Sequence, residues 1–285
     1  MSGAILLIHC KDEKGLIAKV THFLWEHHAN ILDLDEHVDK HDHIFFMRVR
    51  FDLDGFDLAG HEIAHYFHLN VASHYDKMNW ELHFTDKVPR TALFVTKEPH
   101  CLYDILARWQ AKEWEVEIPL IISNHDHLRP VAEQFSIPYF KFEVSKANKG
   151  EVEKKQLSLL RDHQIDFIVL ARYMQVLSPG FIAHFPKKII NIHHSFLPAF
   201  PGAKPYHQAH ARGVKLIGAT SHYVTEELDH GPIIEQDVVT ISHKDQLADL
   251  IRKGHDLEKI VLSRAIRTHL LRKSLVYKNK TIIFQ

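Results

Sequence analysis

Cysteine is nearly absent: Cys10 and Cys101 are the only two in 285 residues, which excludes a disulfide framework and suits a reducing compartment. Glycine and proline, at eleven each, are too sparse for a collagen-like or low-complexity chain. Long apolar runs are missing as well. The first one, residues 4–8, is broken by His9, Cys10 and Lys11, too short for a secretory leader and far too short to span a bilayer. The expectation is therefore a cytoplasmic protein with no membrane partner. Neither charge sign dominates, since 35 Lys and Arg oppose 36 Asp and Glu, and this lack of a global basic field argues against nucleic acid as partner. What the chain does have is 45% hydrophobic residues, enough for real cores, and the length of two domains. It also has 26 histidines, most in polar stretches such as residues 36–43, which read as surface composition that charges as pH falls.

The opening stretch, residues 1–86, alternates short elements. Residues 4–8 read as a buried strand, Gly15 punctuates a turn, and Ile17, Val20 and Leu24 fall at helical spacing. Residues 30–38 and 44–51 read as strands; Phe56, Ala59, Ile63 and Phe67 mark a second helix; residues 78–84 close with alternating Trp80, Leu82 and Phe84. The order strand-helix-strand-strand-helix-strand predicts a ferredoxin-like sandwich. After a polar break at residues 87–90 the rhythm changes. Over 90–285, apolar strands at 91–96, 117–123, 138–142, 166–171 and 188–193 alternate with helical stretches at 102–112, 128–135, 151–163 and 179–185. That predicts an α/β, Rossmann-like domain: a mostly parallel sheet with helices on both faces and ligands at the carboxyl ends of its strands. A long helix near 244–272 and a short extended tail finish the chain.

Several motifs tempt a metal reading. His61-Glu62-Ile63-Ala64-His65 is a literal HExxH on a predicted helix. At about 100° per residue, His61, His65 and His68 lie opposite the Phe56, Ile63, Phe67 stripe, on the solvated side of a very small domain. No third ligand follows at the right spacing. His41-Asp42-His43 and His125-Asp126-His127 lack spaced partners, and we expect no metal and no bound cofactor. A serine hydrolase is disfavoured because no G-x-S-x-G elbow occurs. The richest region starts at residue 188. Strand period two puts Asn191 and His193 on one face, and a second block, His222 to Ile234, turns at Gly231-Pro232 with Asp229 beside it. An amide donor, an imidazole and a carboxylate at strand ends can stabilise an oxyanion and move a proton. The alternative is an ordinary loop of hydrogen-bonded polar residues.

Asn191-Ile192-His193-His194-Ser195-Phe196-Leu197-Pro198, followed by Glu227-Leu228-Asp229-His230-Gly231-Pro232-Ile233-Ile234, resembles the folate-dependent formyltransferase family. Residues 96–102 and 202–209 strengthen the likeness. The amino-terminal stretch from Cys10 to Ala18 resembles an ACT domain, a regulatory and oligomerising unit. The resemblance implies a catalytic Asn191, His193 and Asp229 acting on a formyl group. It also implies a folate held by Met174, Gln175, Leu177, His222, Thr225 and Glu226. The ACT likeness implies a homo-oligomer and amino-acid effectors, methionine activating and glycine inhibiting, near Asp12, Gly15, Leu16 and Ile17. Transferring members carry a glycine-rich phosphate loop after their first strand. Here that loop is Lys97-Glu98-Pro99-His100-Cys101, without glycine, and His194 stands where they usually have proline. The expected reaction is thus hydrolysis of 10-formyltetrahydrofolate to formate and tetrahydrofolate, the formate serving purine biosynthesis. Transfer to a small non-phosphorylated acceptor, or a non-catalytic amino-acid-binding module, are the rival readings.

Overall fold

A computed structural model describes residues 3–199 and 205–285 of the chain. The stretch 202–204 of the second family-like block lies outside the described residues. The chain divides into two compact units, one of residues 1–88, 272–275 and 282–285, the other of 89–271 and 276–281.

The first unit runs β1 (Gly3–Lys11), α1 (Leu16–Glu26), β2 (Ile31–Asp39), β3 (Ile44–Asp52), α2 (Gly60–Asn70) and β4 (Asn79–Phe84). Its antiparallel sheet has the order β2-β3-β1-β4, the predicted sandwich. Alternate β1 residues Ala4, Leu6, Ile8 and Cys10 enter one core with Val20, Phe23, Leu24 and Phe67 from the helices, as strand and helix periods require. Two details differ from the periodicity. The buried stripe of α1 is Leu16, Val20, Phe23 and Leu24, whereas Ile17 is 39% exposed; two registers fit so short a helix. Phe56 and Ala59 precede α2 rather than lie within it.

The second unit runs β5 (Arg90–Val95), α3 (His100–Gln110), β6 (Glu117–Ser123), α4 (Arg129–Gln134), β7 (Tyr139–Lys141), α5 (Lys149–Asp162), β8 (Phe167–Ala171), α6 (Pro179–Ile182), β9 (Ile189–His193), α7 (Pro205–Arg212), β10 (Leu216–Tyr223), β11 (Ile233–Thr240) and α8 (Leu247–Leu270). A terminal hairpin, β12 (Ser274–Tyr277) and β13 (Lys280–Ile283), follows. The sheet order is β11-β10-β9-β8-β5-β6-β7. Strands from β9 to β7 are parallel, while β9-β10 and β10-β11 are antiparallel. Successive β5 residues alternate between two cores: Leu93 and Val95 pack with α3 and α8 residues such as Leu102 and Val261, Ala92 and Phe94 with Leu160 and Phe181. A central parallel strand buried on both faces needs that continuous apolar run.

Candidate active site

β9 carries Asn191 and His193 to its carboxyl end, on one side of the sheet. β10 runs beside it, pairing His222 with Asn191 and Thr220 with His193, and its register shifts at Ser221/His222. The chain leaving β9 is stitched back to β10, since Leu197 N–H donates to Thr220 Oγ1 (3.0 Å) and that hydroxyl donates to the Ser195 carbonyl (2.8 Å). His222 Nδ1 donates to the Tyr223 carbonyl (3.0 Å), so its Nε2 is free to accept from Asn191 Nδ2 (3.1 Å). One amide hydrogen of Asn191 is fixed this way and the other remains for a ligand.

The β10–β11 loop supplies Asp229, held in a left-handed conformation with φ of 58°. Gly231 makes that turn feasible: a Cβ there would lie 1.7 Å from the Tyr223 carbonyl oxygen. Asp229 Oδ2 sits 3.4 Å from His193 Nδ1, and Oδ1 sits 3.7 Å from His222 Nε2. The His193 imidazole holds its carboxyl well below the usual carboxylate range, against the effect of burial. His193 is 5% exposed, and its Nε2 has no hydrogen-bond partner among the described residues. An imidazole anchored through Nδ1, with Nε2 unclaimed, is arranged to exchange a proton with a ligand.

These groups border a cavity of about 290 Å³. Met174, Gln175, Leu177, His222, Thr225 and Glu226 line it together with Asn191, His193 and Asp229, so the structure gathers every expected substrate-side residue around one space. Leu170, Val176 and Leu228 add apolar wall. The 172–177 loop is staked at both ends. Met174 N–H donates to Thr96 Oγ1 (3.0 Å), and Ser178 N–H donates to Glu153 Oε1 (2.9 Å) while its hydroxyl caps α6 at Phe181 (3.1 Å). Apolar walls with a few convergent polar groups are the usual make-up of a small-molecule site.

Residues 89–266 match the Formyl transferase family and residues 4–59 match the ACT domain. A formyltetrahydrofolate deformylase of Synechocystis sp. is 50% identical over 281 residues, covering 99% of this chain and 98% of its own. This chain belongs to the formyltetrahydrofolate deformylase family. The family's crystal structure from Pseudomonas syringae pv. tomato agrees with a TM-score of 0.96 at 44% identity, over 100% of this chain and 95% of that one. A glycinamide ribonucleotide transformylase from Symbiobacterium toebii matches 72% of this chain, at a TM-score of 0.66 and 26% identity.

Behind the cavity, this deformylase-family chain holds a polar network that motif reading missed. Arg172 Nη1 donates to His194 Nδ1, and Arg172 Nε faces Glu258 Oε2 at 3.4 Å. The fully buried Glu258 also accepts from His100 Nε2 (2.8 Å) and from the Tyr206 hydroxyl. Burial alone would raise Glu258, but the His100 hydrogen bond and the Arg172 charge bring it down to about 2. Burial pushes the Tyr206 hydroxyl up, so it stays a donor. His100, Cys101 and Glu258 each bring a ligand atom within 4.8 Å of the others, a spacing a metal ion could bridge. Both Glu258 oxygens are already engaged and a guanidinium stands alongside, so the cluster is better read as an ion and hydrogen-bond network. The signal for it lay in paired oddities: polar residues at helix positions, on α3 and α8, that face a core.

The remaining expected residues are placed as follows. On α2, His61, His65 and His68 are exposed, and Glu62 accepts from Ala59 N–H (3.1 Å) as a helix cap. Asp126 pairs with Arg129 and Lys141, each at 2.8 Å. In the β1–α1 turn, Asp12 N–H donates to the His43 carbonyl (2.9 Å), Gly15 has φ of 91°, Leu16 is buried and Ile17 half-exposed. No helix among the described residues is long and apolar enough to cross a membrane.

Proposed function

We propose that the chain hydrolyses 10-formyltetrahydrofolate to formate and tetrahydrofolate, with Asn191, His193 and Asp229 as its catalytic residues. The observation that carries this reading is the convergence of an amide, an imidazole with a free Nε2 and an ionised carboxylate on one cavity. The pterin occupies the space between the 172–177 loop and the 225–229 loop, with Met174, Gln175, Leu177, His222, Thr225 and Glu226 around it. Asp229 orients a water, whose oxygen bonds to the formyl carbon. Asn191 donates to the oxyanion that develops. His193, protonated, stabilises that charge and gives its Nε2 proton to N10 as the carbon–nitrogen bond breaks. The water's proton passes to Asp229. That carboxylate is a feeble base only while imidazolium faces it, so its basicity returns as His193 releases its proton. No metal ion or cofactor takes part in these steps. The released formate serves purine biosynthesis and balances the one-carbon pool in the cytoplasm.

We also propose that the first unit binds an amino-acid effector at the β1–α1 turn, through Asp12, Gly15, Leu16 and Ile17. The edge strand β2, with Leu32 and Leu34 exposed, supports homo-oligomer formation. Incubation with 10-formyltetrahydrofolate in amine-free, chelator-containing buffer tests the main reading. Formate and tetrahydrofolate in equal amounts are expected, and absence of formate would refute it. Initial rates that rise with methionine and fall with glycine are expected; a flat response to both would refute the effector site.

A further inference from the structure

The ring of His194 lies over that of His193, with centroids 5.2 Å apart and planes inclined by 12°. A guanidinium only donates, so the Arg172 hydrogen bond makes His194 Nδ1 the lone-pair nitrogen and puts the ring's single proton on Nε2. Arg172 is itself held by Glu258, which His100 and Tyr206 fix in place. We propose that Arg172 is a positioning residue for hydrolysis: anchored on Glu258, it keeps His194 a neutral ring against His193, so that the positive charge of the stacked pair belongs to His193 alone. This inference rests on the reading of His193 as the proton donor.

The charged groups around His194 act in both directions. Arg172 from the β8 exit and His193 from β9 oppose a charge on it. Glu258 from α8 and Asp229 from the β10–β11 loop favour one, and Tyr206 from α7 presents a neutral ring 5.8 Å away. Burial, then the Arg172 charge, carry the balance down to about 3. A second imidazolium at the stacking distance would repel a positive charge on the neighbouring ring.

The test reads kcat/KM for formate release as the ratio of variant to wild type across pH, so that any acid lability of the substrate cancels. With Arg172→Met the opposing charge is gone while burial remains, so His194 gains a proton only on the acid side of an ordinary imidazole. The ratio should fall severalfold between about pH 7 and about 4.5. In Arg172→Met/His194→Asn, where residue 194 cannot titrate, and in Arg172→Lys, which keeps the charge, the ratio should stay level. A level ratio in Arg172→Met, or a fall that survives in the double variant, overturns the proposal. Should Arg172→Met fail to fold, Arg172→Gln removes the charge alone and carries the same expectation. A second readout leaves residue 172 untouched. In protein labelled with 15N-histidine, the His194 signals, assigned by their loss in His194→Asn, should remain those of the neutral Nε2–H tautomer on acidification to about pH 5; a titrating signal overturns the proposal. Wild-type protein that releases no formate fails the hydrolase reading and leaves this spectrum still decisive, whereas active wild type with a titrating His194 fails this inference alone.

Discussion

Asn191 directs one amide hydrogen to His222 Nε2 at 3.1 Å, and in the proposed mechanism the other meets the charge that develops on the substrate. On the proposed mechanism, Asn191→Ala removes the oxyanion donor and leaves the apolar wall of Leu170, Val176 and Leu228 in place. Turnover should fall by about 10²–10³ while folate binding persists, as steady-state formate release and a fluorescence titration would show. Buried Glu258 yields a second residue-scale prediction. Its folded-state value near 2 lies below the ordinary value of about 4.3, so its ionisation stabilises the fold above that ordinary value and the contribution is lost as pH falls through the folded one. The gap in urea midpoint between wild type and Glu258→Gln should therefore be wide at neutral pH and narrow from about pH 4 downward. The placement of Asn191 and His193 on one face was legible because strand period alone dictates it. The Arg172, His194, Glu258 network was not. Its members come from separate elements, and only the folded sheet brings the β8 exit against α8.

At the scale of elements, the apolar strands β5, β6 and β8 were readable because burial on both faces demands a near-continuous run of hydrocarbon. β11 and α7 were not. β11 is an edge strand whose residues are mostly exposed or half-buried, and α7 follows a Pro/Gly-rich stretch with few apolar positions, so neither has a clean period. The β10–β11 loop carries Asp229, and its shape depends on Gly231. A Cβ at 231 would meet backbone, the Tyr223 carbonyl at 1.7 Å, so β10 and the loop must separate. Because Tyr223 N–H also donates to the Pro232 carbonyl (2.9 Å), the shift carries Asp229 away from His193. Gly231→Ala should lower kcat by more than about tenfold, since a misplacement on the order of 1 Å is enough. Its far-ultraviolet circular dichroism should stay that of wild type. Unchanged kcat would mean that the loop relaxes without moving the carboxylate.

At the scale of the molecule, the least legible feature is where the tail belongs. Periodicity marks residues after 272 only as extended, and nothing local says which unit they join. Residues 272–275 and 282–285 fall in the first unit, more than two hundred residues from the strands they meet. Arg48 on β3, 3% exposed, donates through Nε to the Arg272 carbonyl (3.0 Å) and pairs with Asp33, and Gln285 N–H donates to Asp35 (2.8 Å). A chain ending at residue 271 would leave the buried Arg48 Nε without that acceptor. An unsatisfied buried polar group costs about 1–3 kcal/mol, more when charged. Loss of residues 272–285 should therefore loosen the first unit, and in the second only the segment where Asn279 and Thr281 donate to the His230 and Ile233 carbonyls. Amide exchange in β3 should accelerate about tenfold or more, while protection in β5 and β8, buried at the centre of the second unit's sheet, holds. Equal acceleration in both units would mean that the tail supports the whole fold rather than closing the sandwich. Intact β3 protection would show that Arg48 finds another acceptor, and that Asp33 suffices to hold it.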